Sequence, residues 1–125
     1  MLLRIKLFCD TPEKQTKGLM YASPLNRDEC AFFKFSYSDE KSFWNKNVNF
    51  PISLLFLDDN FILRNIGRLG AHQETPCRSN YPLTRYVIEG HEELINENIK
   101  IGDCCLVEHD FIKVIKGDGN INKKV

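Results

Sequence analysis

Hydrophobic and polar positions along this chain mostly follow the period of strands. Leu3, Ile5 and Leu7 alternate with Arg4 and Lys6, as expected of a strand with one buried face. Asp10-Thr11-Pro12-Glu13 then supplies a capping oxygen, a proline suited to a first helical turn and an acidic residue near the helix N-terminus. Gly18 can close the resulting helix after about two turns. Cys30 to Phe35 is aromatic-rich and predicts a central strand, with Phe33 and Phe35 on one face and Phe32 and Lys34 on the other. After Pro51, the run Ile52 to Leu57 is apolar at nearly every position. That is the pattern of a strand covered on both faces or lining a barrel.

Asp58-Asp59-Asn60 has turn chemistry and leads into a return strand from Phe61 to Ile66. Gly67 to Pro82 shows no periodicity and predicts a long loop, the best place for a lid or rim. Tyr86-Val87-Ile88 is another strand, and His91 to Asn98 has helical composition. Cys104 to Val107 is expected to pair with Phe111 to Ile115 through a turn near His109-Asp110. Short strands at close spacing with two short helices predict a mainly β (α+β) fold, a small closed or partly closed antiparallel-rich β-barrel whose closure hides strand edges. With 125 residues and no internal repeat, the chain fits one domain over residues 1–116, followed by a flexible tail at 117–125.

Charge narrows the choice of partner. Basic and acidic residues both number 17, so the basic footprint of a nucleic-acid binder is missing. No run approaches the roughly 20 apolar residues that span a bilayer, and Met1-Leu2-Leu3-Arg4 meets a charge too early for a secretory leader. A soluble cytoplasmic protein is expected, without nucleic-acid or membrane partners. The five cysteines are odd in number and include the adjacent Cys104-Cys105, which points to reduced thiols.

Several strings occur together and in order: Thr11-Pro12-Glu13, Lys17-Gly18-Leu19-Met20, Phe33 and Phe35, Phe43-Trp44-Asn45-Lys46-Asn47, Pro51-Ile52 and Leu55-Phe56-Leu57-Asp58. Pro76-Cys77, Tyr81, Arg85 to Glu89 and Ile99 to Asp103 continue the series. Together they resemble the bacterial and archaeal family called domain of unknown function 192, from Leu3 to Val107. The resemblance implies a small β-barrel-like domain and assigns it no activity. The chain differs from the family pattern at Asn45 and Val48, which stand where Met and Thr are usual, and at Ser53, which stands in place of an Asp.

Candidate chemistry gathers in three places. Trp44, Lys46 and Asn47 precede the most apolar strand, where an indole, a cation and an amide can line a small-molecule pocket. In the commoner arrangement Trp44 packs in the core, Lys46 snorkels and Asn47 satisfies a turn. Arg85 and Glu89 project from one face of their strand, either to hold a polar ligand or as an ordinary ion pair. His72 and Cys77 share a loop, as a base and a thiol would, although an exposed histidine and an inert cysteine are the commoner pair. No zinc-type spacing occurs, and no cofactor is implied. The leading expectation is a non-catalytic binding module for a small polar ligand or a protein partner, at the end marked by Lys46, Asn47, Arg85 and the Gly67 to Pro82 loop. A small hydrolase-like enzyme built on Cys77 or His72 is the rival, and a structural or interaction subunit the third.

Overall fold

The computed structural model describes residues 1–117. The predicted tail at 117–125 lies, beyond Gly117, outside the described residues. The chain runs β1 (Leu2–Cys9), α1 (Pro12–Lys17), β2 (Glu29–Asp39), β3 (Ser42–Phe43), β4 (Ile52–Leu57), β5 (Leu63–Leu69), β6 (Cys77–Arg78), β7 (Thr84–His91), a 3-10 turn (Glu92–Asn96), β8 (Cys104–Glu108) and β9 (Phe111–Ile115). Seven strands form one sheet in the order β5-β4-β7-β2-β1-β9-β8, and β3 pairs with β6 separately. Only β1 and β2 run parallel in the large sheet.

The sheet buries both faces. Phe32, Leu55, Leu57, Tyr86, Ile88 and Ile112 belong to one apolar cluster; Phe33, Ile52, Leu54, Phe56 and Val87 belong to the other. Side chains alternate across a strand, so neighbours in sequence serve opposite cores, as predicted for Phe32 and Phe33. All six residues of β4 are buried, which is why that strand has no polar phase. β1 serves both clusters by another device. Its register shifts between Ile5 and Leu7, and this bulge moves the buried set from the Leu3 side to the Cys9 side.

Helix α1 starts and stops where its residues dictate. The Thr11 hydroxyl accepts a hydrogen bond from the Lys14 N–H at 3.3 Å, and Pro12 occupies the first turn. At the far end Gly18 has φ of 47°, a conformation that costs side-chain-bearing residues energy, and its N–H bonds the Lys14 carbonyl at 2.8 Å. The Gln15 amide donates to the Lys34 carbonyl at 2.8 Å, tying the helix to β2.

Three expectations are corrected. Of the closed or partly closed barrel, the closed form is overturned and the sheet is a curled half-barrel: among the described residues its two edges meet at an isolated bridge, Ile62 to Cys104, before β5 turns away to run along β4. Among the described residues there is one short α-helix, not two. β7 continues to His91, whose imidazole caps a single 3-10 turn by accepting from the Glu93 N–H at 3.0 Å; Glu97 is already extended. The segment from Gly67 to Pro82 is also not one long loop, because β5 runs to Leu69 and Cys77–Arg78 pairs with Ser42–Phe43.

Candidate functional site

A cavity of about 650 Å³ opens on the side of the sheet covered by α1, between Gly18 to Met20 and the Lys41 to Lys46 segment. Its walls are aromatic. Phe43 meets Phe33 edge-on with ring centroids 5.0 Å apart, and Phe35 at 6.2 Å. The largely buried Lys41 lies with its ammonium 4.3 Å from the Phe35 ring centre and 4.9 Å from that of Tyr37. It also pairs with the Asp39 carboxylate and donates to the Tyr37 carbonyl at 3.2 Å. At the rim Trp44 is 46% exposed, and the Lys46 ammonium sits 5.3 Å from its ring centre.

Glu89 reaches this cavity from β7, flanked across the sheet by Ala31 and Leu54. Four carboxylates are buried among the described residues: Glu29, Asp58, Glu89 and Asp103. Three are satisfied. Glu29 takes the Arg4 guanidinium and the Asn26 N–H, Asp58 takes Arg64 and two turn N–H groups, and Asp103 takes Lys116 with two backbone N–H groups. Among the described residues Glu89 receives no such bond, and it is only 4% exposed. Burial alone pushes its carboxyl up from an ordinary 4.5 to about 8, because removal from water disfavours the charged form.

The segment from Trp44 to Phe50 is pinned by Asn45, which is fully buried. Its amide nitrogen donates to the Phe50 and Gly70 carbonyls, both at 2.9 Å, and its side-chain oxygen has no partner. Asn47 is half-buried with φ of 61°, in a left-handed conformation that asparagine tolerates; its carbonyl accepts from the Tyr21 N–H at 2.9 Å.

Of the residues singled out from the sequence, Trp44, Lys46 and Glu89 line the cavity. Asn47 supports the loop beneath them. Arg85 shares a strand face with Glu89 but does not pair with it; its guanidinium donates to the Phe35 carbonyl at 2.6 Å and stacks 5.7 Å from the Tyr86 ring centre. His72 is exposed, and its backbone N–H donates to the Val48 carbonyl at 2.7 Å. Cys77 lies over Gly67, where an added Cβ would come within 2.4 Å of its sulfur. Burial raises the Cys77 thiol, and no histidine is among the groups acting on it.

Sequence reasoning missed Lys41, Phe43 and the α1 wall. A signal for part of this was available, since Phe33, Phe35, Tyr37 and Asp39 continue one period-two face beyond the predicted end of β2. Among the described residues no helix is long and apolar enough to cross a membrane.

The model of the family described as uncharacterized ACR, domain of unknown function 192, matches residues 3–107. Two solved structures are similar in fold. One, from Sinorhizobium meliloti, is described as a candidate transcription regulator, with a TM-score of 0.75 and 23% identity over 90% of this chain and 81% of that one. The other, a protein of unknown function from Novosphingobium aromaticivorans, has a TM-score of 0.76 and 29% identity over 82% of this chain and 73% of that one. No curated protein matches the chain.

Proposed function

Since the chain belongs to the domain of unknown function 192 family, whose description names no activity, we propose from its own geometry that it is a non-catalytic binding module with a small polar ligand in the cavity beside Glu89. One observation carries this reading: among the described residues Glu89 is the buried carboxylate that receives no hydrogen bond or ion pair, and it lines a cavity walled by Phe33, Phe35 and Phe43. Apolar walls with a few convergent polar groups are the usual make-up of a small-molecule site, and a buried polar group without a partner costs stability that a ligand can restore. A thiol enzyme is disfavoured, because Cys77 is raised rather than activated.

The test is a fragment screen by ligand-observed NMR, followed by mapping of amide shifts. Bound fragments are expected to move the resonances of Glu89, Phe33, Lys41 and Trp44. Shifts confined to β8 and β9, or no bound fragment at all, would refute the reading.

A second reading, self-association, has its own observation. Leu2, Leu106 and Phe111 are exposed on one face of β1, β8 and β9, among Lys113 and Glu108, opposite charges that a two-fold pairing can place against each other. Light scattering decides it: a dimer dispersed by Phe111→Lys supports this face as the contact, and a monomer removes it.

A further inference from the structure

We infer that the cavity selects a small organic amine, held as its ammonium ion with its N–H groups on the Glu89 carboxylate and its carbon skeleton against Phe33, Phe35 and Phe43. This inference rests on the binding reading above and names the ligand's chemical class. Three independent features point the same way.

The first is charge. Besides Glu89, the cavity is lined by three acidic side chains, Asp10, Asp39 and Glu40, and by three basic ones, Lys17, Lys41 and Lys46. Asp39 holds Lys41, while Glu40 and Asp10 take Arg78 and Lys14 from outside the lining. Lys17 and Lys46 are exposed to water, and among the described residues no cation pairs with Glu89, so the buried carboxylate is the group that a cationic ligand would meet unpaired. An anionic ligand would meet like charge wherever Glu89 is ionised, which is unfavourable at short range.

The second is the wall. Ring faces attract ammonium groups, and the cavity already shows this with its own side chain: the Lys41 alkylammonium rests on Phe35 and Tyr37. Phe33 and Phe43 present further aromatic surface beside it.

The third is hydrogen bonding. A carboxylate accepts several donors, and among the described residues none is provided to Glu89. An ammonium group brings donors and charge together, giving the stronger, charge-assisted kind of bond. An alcohol brings a single neutral donor.

Protons must balance in this step. In the free protein Glu89 holds its proton up to about pH 8. When an ammonium ion binds, the carboxyl proton leaves to solvent and an ammonium–carboxylate pair remains, so one proton is released for each amine bound. Affinity for the amine then rises about tenfold per pH unit toward that value and levels off above it.

The experiment compares 2-phenylethylamine with 2-phenylethanol, which differ in the group that would meet Glu89. Both are titrated calorimetrically into the full chain near neutrality and near pH 8, in buffers of different ionisation enthalpy to count protons. The amine is expected to bind at least about tenfold tighter than the alcohol near pH 8, with close to one proton released per amine near neutrality and about half a proton near pH 8, and Glu89→Gln should erase its advantage over the alcohol. Trp44→Ala, at an exposed rim position, should weaken both probes alike and confirm the location. Equal affinity of the two probes, or an amine preference that survives Glu89→Gln, overturns the ammonium assignment while leaving the cavity as a binding site. If neither probe binds, the assignment falls, and the fragment screen decides the parent reading separately.

Discussion

Replacing Glu89 by glutamine should stabilise the protein in alkaline solution and leave it nearly unchanged in acid. The reasoning follows one proton. Below the ordinary carboxyl value of 4.5, Glu89 is protonated in both the folded and the unfolded chain and adds no pH-dependent cost. Between 4.5 and about 8 the unfolded chain releases the proton while the folded chain keeps it. Stability therefore falls as pH rises, by about 1.4 kcal/mol per pH unit. Above about 8 both states are ionised and the loss levels off on the order of 5 kcal/mol. Glutamine keeps the shape and carries no charge, so it escapes this loss. An unpaired buried amide costs about 1 to 3 kcal/mol at every pH, much as the unpaired neutral carboxyl it replaces does in acid, so the two proteins start nearly level there and diverge as pH rises. Urea unfolding followed by circular dichroism, on both proteins across this window, reads the difference directly. Other titrating groups cancel in the comparison. Parallel stability curves would refute the claim that Glu89 is desolvated and unpaired.

Asn45→Ala should cost on the order of 2 to 3 kcal/mol, because the Phe50 and Gly70 carbonyls both lose their donor; an unchanged urea midpoint would contradict the pinning role. Gly18→Ala should destabilise by about 1 to 2 kcal/mol, since φ of 47° strains a side-chain-bearing residue and the new Cβ meets the Phe33 ring at 3.4 Å; thermal denaturation gives the answer. Cys77 should react with iodoacetamide no faster than an ordinary thiol near neutrality, given the raised pKa. Rapid alkylation there would revive a thiol enzyme.

Much of the strand framework was legible because each strand carries its own phase. Phe32 and Phe33 announced two cores, and the unbroken apolar run of β4 announced burial on both faces. The turn at Asp58 and the cap at Thr11 were legible for local reasons: each side chain bonds backbone within four residues. Closure was not legible, since whether β5 and β8 zip together depends on sheet curl, a property of the whole sheet. Nor was the reduction of the expected second helix to a 3-10 turn, because helical composition at Glu92 to Asn96 cannot reveal that β7 runs on to His91. At the site, Trp44 and Lys46 stood out by type. Glu89 stood out only as a partner for Arg85, and its isolation is a tertiary fact: Arg85 is drawn to the Phe35 carbonyl where the β2–β7 register breaks between Lys34 and Asp39. Lys41 carried no signal in the sequence, because its place against the Phe35 and Tyr37 rings is set by the tertiary fold.

The most direct test of the account is an NMR titration of the Glu89 side-chain carboxyl, free and in the presence of saturating 2-phenylethylamine. The account predicts a midpoint near 8 in the free protein and a large fall when the amine is bound. A midpoint near the ordinary 4.5 in the free protein, or one that the amine leaves unmoved, would contradict it.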